Sequence, residues 1–179
     1  MILITYFQQY KPFLLFLGKF FLSYLVLTVL YQSYLATFGD DVVDGITSNV
    51  AFLTQKIANL FKIDISTQLD VLQFQIRYHG KYLARIIEGC NAISVIILFI
   101  AFIVAFSGKL KVTLLYIFVG SVMIYIFNIF RIIFLTILVY HFPHQEHLLH
   151  GVLFPLIIYG IVFLLWFIWV NKFSGYVSK

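Results

Sequence analysis

The stretch Val112–Tyr140, which reads VTLLYIFVGSVMIYIFNIFRIIFLTILVY, decides the fold of this chain. Most of the run is apolar, and Asn128 and Arg131 interrupt it in its second half. An α-helix needs about 20 apolar residues to cross the hydrocarbon core of a bilayer, and this run is longer. The stretch therefore predicts a transmembrane helix that carries two strongly polar side chains.

The composition of the chain indicates that lipid is its main solvent. Hydrophobic residues make up 63% of the sequence and charged residues only 11%, against roughly 25% in a soluble domain. We predict an all-α, multi-pass membrane protein of about four to five transmembrane helices, folded as one domain over residues 1–179. The expected spans are residues 13–38, 91–107, 112–140 and 148–170, and residues 39–89 form a large outer loop.

The lysines predict which side of the membrane each segment faces. Basic residues concentrate in the short cytoplasmic segments of membrane proteins. On a path with four spans, the short basic segments of this chain fall on one side, and they contain Lys11, Lys19, Lys109, Lys111, Lys172 and Lys179. Both termini are therefore expected in the cytoplasm, and the outer loop is expected outside the inner membrane of the cell.

The outer loop contains two patterns of its own. Apolar residues recur at helical spacing in residues 50–60, which predicts an amphipathic helix on the outer membrane surface. Residues 72–78 alternate between apolar and polar, and His79-Gly80 separates them from a second such run at residues 81–87. This pattern predicts a short β-hairpin that leads directly to Cys90, with an irregular loop as the alternative.

Charge and motif content limit the ligands of the chain. The formal net charge is +5, but the lysines and arginines are scattered singly among apolar runs, where they set topology and contact lipid headgroups. We therefore expect membrane lipid and no nucleic acid as a partner. The sequence has no glycine-rich phosphate loop, no CxxC and no HExxH motif, so neither a cofactor nor a metal is expected.

Three chemically reactive side chains are expected at one depth in the membrane. Arg131 lies about 28 Å along its helix from Val112, near the outer edge of a core about 30 Å thick. Cys90 opens the second span at its outer end, and His147 precedes the fourth span at its outer end. A nucleophile, a cation and a base therefore converge from three different helices.

This combination fits nucleophilic catalysis by cysteine. Nearby cations or a histidine favour the thiolate of Cys90, which can attack an amide carbonyl. Arg131 can stabilise the resulting oxyanion, and His147 can protonate the leaving amine. Four neighbouring polar residues can orient these groups, and they are Glu88, Asn91, Asn128 and Glu146.

Two other functions compete with the cysteine site. Histidines recur every third residue from His141 to His150 with Glu146 among them, so a His-based metalloenzyme is one alternative. Pro143 interrupts helical geometry there, and no two of these histidines have i, i+4 spacing. A non-catalytic membrane assembly or transport component is the other alternative. Such a component would carry polar residues through the bilayer, whereas these cluster at the outer rim.

Three blocks of the sequence together resemble the exosortase/archaeosortase family. They are Glu88–Ser94 (EGCNAIS), Asn128–Ile132 (NIFRI) and Glu146–Gly151 (EHLLHG), and they occur in the order of that family's pattern. The chain looks most similar to the short F-type exosortases of the Bacteroidetes. The resemblance implies that Cys90 is the nucleophile, Arg131 the oxyanion or thiolate stabiliser, and His147 the general acid/base, with His150 as the fallback.

The resemblance also implies a substrate and one local difference. Members process exported proteins whose C-terminal sorting segments contain a short motif, a transmembrane helix and a basic tail. Because the chain is shorter than the eight-span members, the resemblance leaves substrate docking to fewer helices or to a small membrane partner. Many members have glycine where this chain has Ala92, which predicts a different backbone turn after Cys90.

Overall fold

The computed structural model describes residues 2–39, 42–106 and 108–174. Its helices are α1 (Ile2–Leu35), α2 (Gly45–Leu60), α3 (Ile93–Ala105), α4 (Leu110–His141), α5 (Glu146–Leu148) and α6 (Phe154–Lys172). Its strands are β1 (Ile65–Asp70), β2 (Gln73–Tyr78) and β3 (Lys81–Ile86). Short turns complete the path, with 3₁₀ geometry at Glu88–Cys90 and Pro143–Gln145 and π-helical geometry at Leu149–Leu153.

Three helical segments are long and apolar enough to cross a membrane, which confirms a multi-pass membrane protein. These segments are Tyr10–Leu35, Leu110–His141 and Pro143–Lys172. The span predicted at residues 91–107 is the shorter helix α3, whose 13 residues extend about 20 Å. A hydrocarbon core is about 30 Å thick, so α3 is shorter than the core is wide. It packs against α1, α4 and α6, so protein surrounds much of this helix.

A close helix contact holds α3 against α4. A Cβ atom built on Gly120 would lie 2.3 Å from Cζ of Phe99, whose side chain is fully buried. Only glycine therefore allows the two helices to approach this closely, as at many helix crossings in membranes. Around this contact, a core joins α3, α4 and α6 through Phe99, Ile103, Ile124, Ile158, Val162 and Trp169.

The predicted helix of the outer loop is confirmed as α2. Asp44 caps its first turn, because Oδ1 accepts hydrogen bonds from the backbone nitrogens of Ile46 (2.9 Å) and Thr47 (3.0 Å). The expected apolar face is partly buried, but α2 packs against β1 and α4 rather than lying alone on a surface. Leu60, at the end of that face, is 78% exposed.

The predicted β-hairpin is confirmed as β2 and β3. The turn residues His79 and Gly80 have φ angles of 50° and 74°, which are typical of a type I′ turn. A third strand, β1, was missed by the sequence analysis, and it pairs antiparallel with β2 from Ile65↔Tyr78 to Asp70↔Gln73. The β1–β2 turn contains Val71 at φ 51°, where a β-branched residue gives no sequence signal of a turn.

The sheet packs on the C-terminal half of α4. Its inward face shares one apolar core with α2 and α4, formed by Val50, Ala51, Ala58, Ile65, Ile76, Ile86, Ile129, Ile132 and Ile133. Burial of these side chains removes apolar area from water, which fixes the sheet on the helix. Because β3 leads into the turn that carries Cys90, this core also sets the position of that cysteine relative to α4.

Candidate active site

Cys90 lies in a tight turn between the sheet and helix α3. Its backbone nitrogen donates a 2.8 Å hydrogen bond to the carbonyl oxygen of Ile87, which closes the 3₁₀ turn. The Cys90 side chain is half-buried and packs against the apolar core of the sheet. Glu88, in the same turn, is exposed. The turn therefore presents the thiol at the junction between α4 and the sheet.

Asn91 ties this turn to three helices. Its side-chain nitrogen donates hydrogen bonds to the hydroxyl oxygens of Tyr31 (2.7 Å) and Thr47 (3.2 Å). Its side-chain oxygen accepts a 3.0 Å hydrogen bond from the backbone nitrogen of Ile93, at the start of α3. Asn91 is only 1% exposed, so these bonds satisfy a buried amide. They fix Cys90 relative to α1, α2 and α3.

Ala92 adopts a backbone conformation that glycine favours. Its φ angle is 65° and its ψ angle is 0°, which places a non-glycine residue in the left-handed region. Glycine would adopt these backbone angles at position 92 without strain, whereas alanine does not. The left-handed conformation costs an L-residue roughly 1 to 2 kcal/mol.

Asn128 connects Cys90 to Arg131. The side-chain nitrogen of Asn128 donates a 2.7 Å hydrogen bond to the carbonyl oxygen of Cys90. Its side-chain oxygen accepts a 3.3 Å hydrogen bond from Nη1 of Arg131, one turn further along α4. Asn128 is fully buried, and the buried Nε of Arg131 has no hydrogen-bond partner among the described residues. The guanidinium therefore retains donor capacity for another group.

Cys90 and Arg131 line one cavity of about 630 Å³. Helix α4 forms one wall of it and strand β3 forms another. We call it the Cys90 cavity, and it is lined by Ile76, residues 81–87, Cys90, Arg131, Ile132, Leu135, Thr136, Val139, Tyr140, Pro143, Glu146 and His150. It therefore combines a thiol, a guanidinium, a carboxylate and an imidazole, the side chains that the cysteine mechanism needs.

The two candidate histidines differ in whether they line the Cys90 cavity. His150 lines the Cys90 cavity, whereas His147 lines an adjacent cavity of about 610 Å³ together with Pro143, His144, Glu146, His150 and Gly151. The chain between them passes from α5 into the π-helical turn Leu149–Leu153. A π-helical turn advances the chain by a smaller angle per residue than an α-helix does, so regular helical spacing does not predict which way each imidazole faces.

The remaining predicted residues also differ in whether they line the Cys90 cavity. Glu146 lines both cavities, while the side chains that line the Cys90 cavity do not include Glu88 or Asn91. Asn91 and Asn128 act on the backbone of the turn rather than on the cavity. Within residues 2–39, 42–106 and 108–174, no three His, Cys, Asp or Glu side chains lie close enough together to hold a metal ion.

Sequence reasoning did not predict that strand β3 lines the site. All six residues of β3 contribute to the lining of the Cys90 cavity, including the cationic residues Lys81 and Arg85. One feature of the sequence could have predicted this position. The predicted hairpin ends four residues before Cys90, so its last strand lies close to the nucleophile.

Comparison with known proteins agrees with this architecture. No curated protein and no solved structure matched the chain. The family model described as Transmembrane exosortase (Exosortase_EpsH) matches residues 6–170. This range includes every residue of the Cys90 cavity. It also includes the three helical segments that are long enough to cross a membrane, apart from the last two residues of the third segment. The match covers most of the sequence. The chain therefore belongs to the transmembrane exosortase family.

Proposed function

We propose that this chain is a membrane-embedded cysteine peptidase or transpeptidase that processes the C-terminal sorting segments of exported proteins. The observation that carries the proposal is the shared cavity of Cys90, Arg131, Glu146 and His150, with Asn128 linking the Cys90 turn to Arg131. Membership of the exosortase family supports the same activity, and the three sequence blocks favour the short F-type subfamily.

The reaction begins when an imidazole takes the proton of the Cys90 thiol and the resulting thiolate attacks the carbonyl carbon of the scissile peptide bond. A new C–S bond forms, and the carbonyl oxygen becomes an oxyanion that the Arg131 guanidinium stabilises by charge and hydrogen bonding. Collapse of this intermediate breaks the C–N bond, and the leaving amine takes a proton from an imidazolium. Water or another amine then attacks the thioester and restores the Cys90 thiol.

The geometry favours His150 as the proton donor, with His147 as the fallback. His150 lines the cavity that contains Cys90 and Arg131, whereas His147 opens into the adjacent cavity. Glu146 lines both cavities and is suited to orient either imidazole. The proposed catalytic residues are thus Cys90, Arg131 and His150, and Asn91 and Asn128 position the nucleophile turn.

The proposed orientation places this site on the outer face of the inner membrane. The lysines of the termini and of the α3–α4 turn then face the cytoplasm. Labelling of intact cells with a thiol reagent that cannot cross membranes checks the orientation, because Cys90 is the sole cysteine. We expect labelling of Cys90 from outside. Labelling that requires permeabilised cells contradicts the orientation.

The activity can be measured with an exported reporter protein. The reporter ends in a segment with a motif, a transmembrane helix and a basic tail, taken from an exported protein of the same cell, and it is co-expressed with the enzyme. Cys90→Ala and Arg131→Ala should leave the enzyme inserted in the membrane but abolish release of the reporter's tail. Release that persists with Cys90→Ala contradicts a cysteine mechanism.

A further inference from the structure

One edge of the outer sheet is open toward the Cys90 cavity. The strand order is β1-β2-β3, so β3 has a strand neighbour on one side only. Among the described residues, no backbone hydrogen bond joins the other side of β3 to any part of the chain. An edge strand with unpaired backbone groups is a template for another extended chain.

The opposite edge of the sheet is covered instead. On β1, the backbone nitrogen of Thr67 donates a 2.9 Å hydrogen bond to the side-chain oxygen of Gln55, and the Thr67 hydroxyl donates a second one of 2.8 Å. Gln55 belongs to α2, which packs against β1. The fold thus blocks one edge with a helix and leaves the edge beside Cys90 open.

The ladder between β2 and β3 identifies the backbone groups that face outward. A two-residue turn closes with a hydrogen-bonded pair, here Tyr78 and Lys81, and hydrogen-bonded pairs then alternate with pairs whose backbone groups point away. Leu83 is an extra residue in β3, a bulge between the pairs Arg77↔Tyr82 and Ile76↔Ala84. The alternation of pairs is therefore counted along β2. By this rule, the backbone groups of Tyr82 and Arg85 point away from β2.

The charge of the cavity indicates which peptide fits there. Lys81, Arg85 and Arg131 line the cavity, and Glu146 is its one carboxylate among the described residues. This excess of cations favours an acidic side chain on the bound segment. The six residues of β3 extend about 20 Å and end four residues before Cys90, so a segment lying along β3 arrives at the nucleophile.

We propose that the substrate binds as an added β-strand along the open edge of β3, as an extended segment with at least one acidic side chain. Backbone hydrogen bonds to Tyr82 and Arg85 hold the segment, and Lys81 and Arg85 select its charge. The inference rests on the proposed function for the identity of the substrate. It adds the surface, the conformation and the charge by which that substrate is recognised.

Disulfide crosslinking tests the added strand. The enzyme carries Cys90→Ala and Tyr82→Cys, a replacement of a side chain that is 51% exposed. The reporter described above carries a single cysteine, moved one residue at a time through the segment that precedes its membrane helix. Under oxidation we expect adducts at alternate reporter positions, because side chains alternate along a strand. A matched enzyme with Leu69→Cys on the covered strand β1 should give none.

Three outcomes overturn the proposal. The first is adducts that recur every three to four positions, which indicates a helical segment. The second is the absence of reporter adducts. The third is an enzyme–enzyme adduct through Tyr82→Cys in place of the reporter adduct, which assigns the edge to a second copy of the chain.

A charge exchange tests the selectivity. We expect Arg85→Glu to lower processing of a reporter with an acidic segment by roughly threefold to tenfold, and a lysine in place of the reporter's acidic residue to restore it. The control is Lys56→Glu, on α2 and outside the residues that line the Cys90 cavity, which should leave processing unchanged. An equal loss with both reporters contradicts charge selection by Arg85.

The two proposals fail separately. Alternating adducts together with cleavage that does not need Cys90 support the added strand and contradict the cysteine mechanism. Cleavage that needs Cys90 without alternating adducts supports the mechanism and contradicts the added strand.

Discussion

The side-chain amide of Asn128 donates a 2.7 Å hydrogen bond to the carbonyl oxygen of Cys90, while its own oxygen accepts one from Arg131. One buried side chain therefore sets the distance between the proposed nucleophile and the proposed oxyanion stabiliser. A single guanidinium in an apolar helix needs such a partner, because burial of an unpaired charge is costly.

Replacement of this amide should impair both stability and activity. We expect Asn128→Leu, which keeps the approximate shape, to lower the free energy of unfolding by about 1 to 3 kcal/mol, because the Cys90 carbonyl loses its partner. Processing of the reporter should fall about tenfold or more through misplacement of Cys90. Thermal unfolding in detergent and reporter cleavage measure the two effects.

Asn171→Leu is the matched control. Asn171 also donates a 2.8 Å hydrogen bond to a helix carbonyl, that of Phe167, but it is exposed and far from the cavity. It should change both quantities little, and an equal loss in the two variants contradicts the special role of Asn128.

The two histidines should differ in their effect on catalysis. His150→Ala should lower the rate of processing by roughly 100-fold or more, the usual loss on removal of a general acid/base. His147→Ala should lower it much less, because His147 lines the adjacent cavity. His144→Ala serves as the control for loss of an exposed imidazole. A larger loss with His147→Ala reassigns the proton donor to His147.

Ala92→Gly should destabilise the protein less than Ala101→Gly does. Both changes remove a buried methyl group, but at position 92 glycine also adopts a φ angle of 65° without the strain that alanine has there, which is worth about 1 kcal/mol. Ala101→Gly, in the middle of α3 where the residue is fully buried, should destabilise the protein. Melting temperatures of the two purified variants give the comparison, and a melting temperature for Ala92→Gly as low as that of Ala101→Gly contradicts the assigned conformation.

The contact between α3 and α4 predicts a contrast between two glycines. Gly120→Ala should destabilise the protein by about 1 to 3 kcal/mol, because the new methyl group meets the buried ring of Phe99. Gly160→Ala in α6 should be neutral or mildly stabilising, since nothing lies within 4 Å of its added Cβ. Thermal unfolding separates the two, and equal melting temperatures contradict the close approach at Gly120.

Features with a strong local pattern were predictable from the sequence. The long apolar runs, the helical spacing of α2 and the alternation around His79-Gly80 each repeat over many residues, and the structure contains the corresponding elements. Strand β1 was missed, since its turn uses Val71 rather than a glycine. The length of α3 was overestimated because the apolar run includes the left-handed residue Ala92, which composition does not distinguish from a helical one.

The residues that line the cavity around Cys90 and Arg131 were not predictable from the sequence. The expected equal depth of Cys90 and Arg131 corresponds to a shared cavity joined through Asn128. His150 lines the Cys90 cavity and His147 does not, and the π-helical turn Leu149–Leu153 that contains His150 departs from the regular helical spacing on which the sequence analysis relied. The role of β3 depends on how the sheet packs on α4, which is a tertiary contact.

A covalent intermediate tests the central claim most directly. The reporter is incubated with the enzyme in membranes, the reaction is stopped with acid, and the tryptic peptide that contains Cys90 is examined by mass spectrometry. The account predicts a reporter fragment attached to Cys90 as a thioester that hydroxylamine removes, and no such adduct with Cys90→Ser. Cleavage of the reporter at an undiminished rate by Cys90→Ala contradicts it.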